Sequence, residues 1–85
     1  MGYDHELELQ ADVFREITVG DKRFILCQDA EWKKGEMILL RQMIDGKRGK
    51  QAASVRIDYI ERPAEIPGYM VVQFTKWEQI YDVWF

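Results

Sequence analysis

Eighty-five residues make one domain, because two cores drawn from so short a chain would not offset the entropy of ordering it. Hydrophobic residues form 47% of the sequence, with three Trp, four Tyr and four Phe, which excludes a disordered segment. Twelve basic against fifteen acidic residues leave a net charge of −3, so no global field draws the chain to phosphate or to an anionic membrane, and nucleic-acid binding must use a local patch. The single Cys27 has no partner for an internal disulfide and sits in an apolar stretch, as expected in a reducing cytoplasm. No charged-then-apolar leader follows Met1, and no apolar run approaches the roughly eighteen residues of a membrane span, so a soluble protein is expected.

In chain order, Asp4 to Gln10 alternates, with His5, Leu7 and Leu9 on one face and Glu6 and Glu8 on the other, which predicts a half-buried first strand. From Ala11 to Val19 the residues Val13, Phe14 and Ile17 share one helical face. Asp12 lies in the first turn, where the helix dipole favours negative charge, and Gly20 marks the stop. Lys22 opens a second strand, with Phe24 and Leu26 on one side and Ile25 and Cys27 on the other, which predicts cover on both faces.

The stretch AEWKKGE breaks period, and Gly35 supplies a turn before a third strand from Glu36 to Ile44. Asp45 and Gly46 begin a hairpin loop that is expected to run through Lys47, Arg48, Gly49 and Lys50, giving it a basic tip. Ala53 to Arg62 is expected as a fourth strand, antiparallel to the third, with Ala53, Val55, Ile57 and Tyr59 inward and Ser54, Arg56 and Asp58 outward. The prolines of ERPAEIPG end that ladder, and Pro67 and Gly68 suit the centre of a type II turn. A fifth strand, YMVVQF, follows with Met70, Val72 and Phe74 inward. Thr75 and Glu78 then have capping-box spacing ahead of Trp77, Ile80, Tyr81 and Trp84, which predicts a short amphipathic C-terminal helix.

The run HELELQADVFREITVGDKRF resembles a group of short phage and bacterial proteins of the ASCH/PUA-like superfamily. In that pattern a His-Glu-Leu strand is followed by a helix with an apolar-aromatic pair, here Val13 and Phe14, then by Gly and Lys, here Gly20 and Lys22, and a buried strand. An aromatic and a Gly-acid turn come next, like Trp32, Gly35 and Glu36, leading into an apolar strand like MILL; the likeness covers about residues 4 to 74. It implies an α+β fold: a small, five-stranded, mostly antiparallel pseudo-barrel with one helix after the first strand, to which the sequence adds the C-terminal helix. It also implies a superfamily associated with RNA binding and, in one branch, with hydrolysis of an acylated nucleoside. The sequence departs from the pattern where the family's strand after the Lys carries Glu and Arg, or Thr in the hydrolase branch; Ile25 and Cys27 stand near those positions. The aromatic tail WEQIYDVWF extends beyond the matched part.

Several side chains are candidates for function. Lys22 and Arg23 would put two cations at the mouth of the cleft, unless they belong to a solvated turn. Lys47, Arg48 and Lys50 form the dense basic cluster expected of a phosphate clamp, with Arg56, Lys33 and Lys34 as additions, although hairpin tips are also polar simply to stay soluble. No aromatic lies within that cluster, which argues against reading splayed single strands there. His5 is expected as a packed, hydrogen-bonded residue, and Cys27 as a nucleophile only if a base reaches it. One His and one Cys predict no metal site, and no cofactor is expected. The aromatics Trp77, Tyr81, Trp84 and Phe85 either cap an open end of the sheet or anchor a partner.

The first functional expectation is a non-catalytic domain that binds RNA or a nucleotide-like ligand through Lys22, Arg23 and the basic hairpin. The second is a module that docks on a host protein or on itself, as monomer or homodimer. The third, ranked last because a lone lysine is a poor catalytic set, is a hydrolase of acylated nucleosides.

Overall fold

A long two-stranded ribbon carries the rest of the molecule. In the computed structural model, which describes the backbone of residues 3–82 and the side chains of residues 3–75, that ribbon is β4 (Lys47–Glu61) paired antiparallel with β5 (Tyr69–Asp82). β3 (Met37–Ile44) pairs antiparallel with the first part of β4, and β1 (His5–Gln10) lies parallel outside β3. On the opposite side, β2 (Phe24–Gln28) pairs antiparallel with the first residues of β5, so the order across the sheet is β1-β3-β4-β5-β2. α1 (Ala11–Thr18) connects the two outermost strands.

The sheet is open, and the expected pseudo-barrel does not close. β1 and β2, which a barrel would have to bring together, stand at opposite edges. α1 crosses one face between them and buries Phe14 and Ile17, at 1% and 0% exposure, where a closing wall would otherwise lie. Around these side chains the core collects Ile25, Ile38, Leu40, Ala53, Val55, Ile57, Met70, Val72 and Phe74, with Leu7, Leu9, Val13 and Trp32 at its margin.

The helix ends as its sequence dictates. Gly20 adopts φ 91°, its N–H donates to Ile17 O at 3.0 Å, and Asp21 N–H donates to Glu16 O at 3.0 Å. That is a Schellman ending, which satisfies carbonyls left open by the last turn. The Pro67-Gly68 turn also forms, with Gly68 at φ 87° and Tyr69 N–H donating to Ile66 O at 3.2 Å, the type II geometry.

Five expectations are corrected. The hairpin after β3 is a tight two-residue turn, with Asp45 at φ 50° and Gly46 at φ 77°, so Lys47, Arg48 and Lys50 lie in β4 and not on a basic loop. Positive φ at both central residues is the type I′ arrangement that matches strand twist, and a longer loop is not needed. The C-terminal segment is strand and not helix through Asp82, because Gln51–Ala53 of the long β4 offer it a ladder. Thr75, read as a helix cap, instead donates its hydroxyl to Asp58 across the ribbon.

Tyr59 points outward, at 51% exposure, where strict alternation had put it inside. A bulge at Asp58 shifts the register between Ile57 and Tyr59, so inward positions run Val55, Ile57, Ile60. Ser54, expected outward to solvent, is buried at 6%, opposite Leu39 and beside the equally covered Ala52. β2 is covered on one face only: Ile25 is 3% exposed, whereas Phe24 and Leu26 are 50% and 57% exposed.

Candidate functional site

The Schellman ending of α1 delivers Lys22 and Arg23 directly to the start of β2, and Arg23 O accepts from Phe74 N–H at 3.0 Å, which fixes that junction to β5. Phe24 follows and is the register partner of Gln73, which in turn is the partner of Tyr59 on β4. Residues directly opposite in a ladder share a face. Tyr59, Gln73 and Phe24 therefore form one row across three adjacent strands, on the side of the sheet away from α1, and all three are exposed. With neighbouring strands about 4.8 Å apart, the two aromatic residues stand roughly 10 Å from one another with an amide between them.

An open depression of about 330 Å³ adjoins this row, lined by Arg23, Phe24, Asp58, Gln73, Phe74 and Thr75. The Lys22 ammonium lies 5.5 Å from the centre of the Phe24 ring, a cation–π distance. A positive charge is thus held over one face of a half-exposed aromatic ring. Arg56 is the register partner of Thr75 and carries its charge on the same face one row further along.

The remaining predicted cations divide into two groups. Lys33 and Lys34 occupy a type II turn whose Gly35, at φ 92°, donates its N–H to Ile57 O at 2.8 Å, so this turn is brought alongside β4 next to the bulge. Lys47, Arg48 and Lys50 lie elsewhere. At 3.3 Å per residue, roughly 26 Å of strand separates Arg48 from Arg56. Arg48 also shares Glu6 Oε2 with Arg41, at 3.8 Å and 2.5 Å respectively, so its charge is partly balanced. The structure does not unite the hairpin cations with Lys22 and Arg23.

His5 is a packed residue. Its ring stacks on Trp32 with centres 4.7 Å apart and planes 16° from parallel, and its Nε2 donates to Glu36 Oε1 at 2.8 Å. The same oxygen accepts Lys33 N–H at 2.7 Å. The His5 hydrogen bond first, and the Lys33 N–H second, hold the Glu36 carboxyl below its ordinary range. This group ties the crossover before β3 to β1.

At the positions where the resemblance would put polar groups, Ile25 is in the core and Cys27 is half-buried opposite Met70. Burial, and then the nearby Asp29 charge, push the Cys27 thiol up, so it stays protonated and weakly nucleophilic at neutral pH. Among the described residues no group of three His, Cys, Asp or Glu is placed to hold a metal, and no helix is long and apolar enough to cross a membrane. Trp77 and Tyr81 belong to β5 by backbone; their side chains, together with Trp84 and Phe85, lie outside the described residues.

Phe24, Tyr59, Gln73, Asp58 and Thr75 were not among the sequence candidates. A signal for them exists, since the apolar spacing in β4 changes from two to three at Asp58. No protein-family model matches the chain, and no curated protein matches it.

Proposed function

We propose that this chain is a non-catalytic ASCH/PUA-like domain, open at its sheet edges, that binds single-stranded RNA or a nucleotide-like ligand on the exposed β4-β5-β2 face. The row Tyr59–Gln73–Phe24, with Lys22 and Arg23 at its end, carries this reading. Bases stack on exposed aromatic rings whatever their sequence, and adjacent cations take the phosphates. A net charge of −3 restricts the attraction to that local group, so affinity is modest and strongly salt-dependent.

Fluorescence anisotropy with a labelled single-stranded RNA, titrated over salt, tests the proposal. Each phosphate contact on a single strand contributes about −0.7 to the slope of log K against log salt, so Lys22→Glu with Arg23→Glu reduces the slope by about 1.4. Lys47→Glu with Arg48→Glu, at the distant end of β4, leaves binding almost unchanged. Absence of binding by the wild type at low salt, or dependence on Lys47 and Arg48 alone, removes the proposal.

A second reading is docking on a host protein or on another copy. Leu26 and Tyr69, 57% and 46% exposed, extend the apolar surface away from the cations, and large exposed apolar patches mark interfaces. Light scattering after size exclusion tests self-association; a monomer at all concentrations counts against that part.

A further inference from the structure

Resting on the single-strand reading above, we infer that the depression beside Phe24 selects guanine among the bases. Asp58 is the residue the bulge leaves unpaired with β5, and its exposed carboxylate stands at the rim of the depression. The Thr75 hydroxyl donates to its Oδ2, which fixes the carboxylate in place. An ionised carboxylate offers about four lone-pair sites, so one hydroxyl leaves it able to accept two more donors.

A carboxylate is out of place in a simple phosphate clamp. It repels the phosphates that Lys22 and Arg23 attract, and a site built for charge alone would lack it. It suits a partner that presents donors. Guanine alone among the bases has two adjacent donors, the ring N1–H and an exocyclic N2–H, on its pairing edge, together with the adjacent acceptors O6 and N7. Adenine and cytosine set a ring lone pair beside their amino group, and uracil flanks its one N–H with two carbonyls. Each of these meets a carboxylate with repulsion. A guanine stacked on Phe24 directs its donors to Asp58 and its acceptors toward Arg23, whose guanidinium fork matches two neighbouring acceptors.

The test uses the full chain and four labelled heptamers, UUUXUUU, with X as G, A, C or U, read by anisotropy at low salt. A good two-point contact discriminates by about 5- to 160-fold, so X = G binds at least about fivefold tighter than the other three. Asp58→Asn keeps an acceptor for Thr75 but turns an amide toward the base, and brings the G heptamer level with the rest; Asp58→Ala does the same. Equal affinity for the four heptamers overturns guanine selection while leaving the single-strand reading in place. A preference for G that survives both substitutions overturns the role of Asp58. Failure of every heptamer to bind overturns both readings.

Discussion

Phe24→Ala separates stacking from folding. Phe24 keeps 50% of its surface exposed and lies on the face away from α1, so its removal opens no cavity in the core. Full burial of such a side chain is worth about 1.5–3 kcal/mol, and half of that is about 1 kcal/mol. A chain of 85 residues has a total stability of about 4–13 kcal/mol, so the variant stays folded. The binding effect is larger. Loss of one base–aromatic stack costs about 1–3 kcal/mol, which weakens Kd by about 5- to 160-fold. Leu26→Ala is the matched control: the residue is equally apolar, two positions further along β2, and 57% exposed, but it offers no ring. Anisotropy with single-stranded RNA, alongside thermal melts by circular dichroism, measures the two quantities independently. A folded Phe24→Ala protein that binds as tightly as wild type refutes stacking on this residue. Equal losses from Phe24→Ala and Leu26→Ala refute ring stacking and leave general apolar contact as the source of the affinity.

Three further outcomes test the fold that presents the face. Phe14→Ala removes the main anchor of α1, 1% exposed, and costs about 3–5 kcal/mol, a large part of the total; a denaturant midpoint within error of wild type contradicts the placement of the helix. Glu36 has a lowered carboxyl pKa in the folded state, so it contributes stability that is present above its ordinary value of 4.5 and is lost as pH falls through the folded value. Denaturant melts from pH 7 to pH 3 should therefore show the gap between wild type and Glu36→Gln narrowing below pH about 4.5, and a constant gap excludes the His5 pairing. A Cβ on Gly49 falls within 2.8 Å of Gln42 Cδ, the far end of a flexible side chain that can swing aside, so Gly49→Ala changes stability by less than about 1 kcal/mol; a loss of about 2 kcal/mol or more in denaturant melts refutes that Gln42 yields.

Local signals placed α1, its glycine stop, the Pro67-Gly68 turn and the inward set Met70, Val72 and Phe74, because each depends on neighbouring residues only. What lay beyond the sequence was set by distant partners. The segment after Thr75 has the three- and four-residue spacing of a helix, yet it extends β4 because that strand begins at Lys47 and presents an open ladder. Phe24 and Leu26 sit in a continuous apolar run that reads as doubly covered, and only the crossing of α1 over one face shows that the other is bare. The cations were legible as residue types but not as a group. Fifteen residues of β4 hold Arg48 and Arg56 far apart, a separation that a hairpin loop would not impose.

The single extra residue at Asp58 is what turns a scaffold into a candidate site. If Asp58 were instead paired with Gln73 in regular alternation from Ile57, Tyr59 would enter the core and Ile60 would face water. With the bulge, the core gains Ile60 at its margin, the phenol ring joins Gln73 and Phe24 on the open face, and a carboxylate is left standing beside them. Bulges bend and twist a strand locally and re-aim side chains, at the cost of ladder hydrogen bonds. Here that cost is set against the hydroxyl bond from Thr75, which holds Asp58 to the neighbouring strand. Deletion of Asp58 removes the acid and the extra residue together. Tyr59 then follows Ile57 directly, and regular pairing sets it opposite Gln73, so the aromatic row survives. The deletion and Asp58→Ala should therefore both retain general single-strand binding and lose the preference for guanine, read with the four heptamers. Loss of general binding in the deletion alone would refute the register that puts Tyr59 in the row.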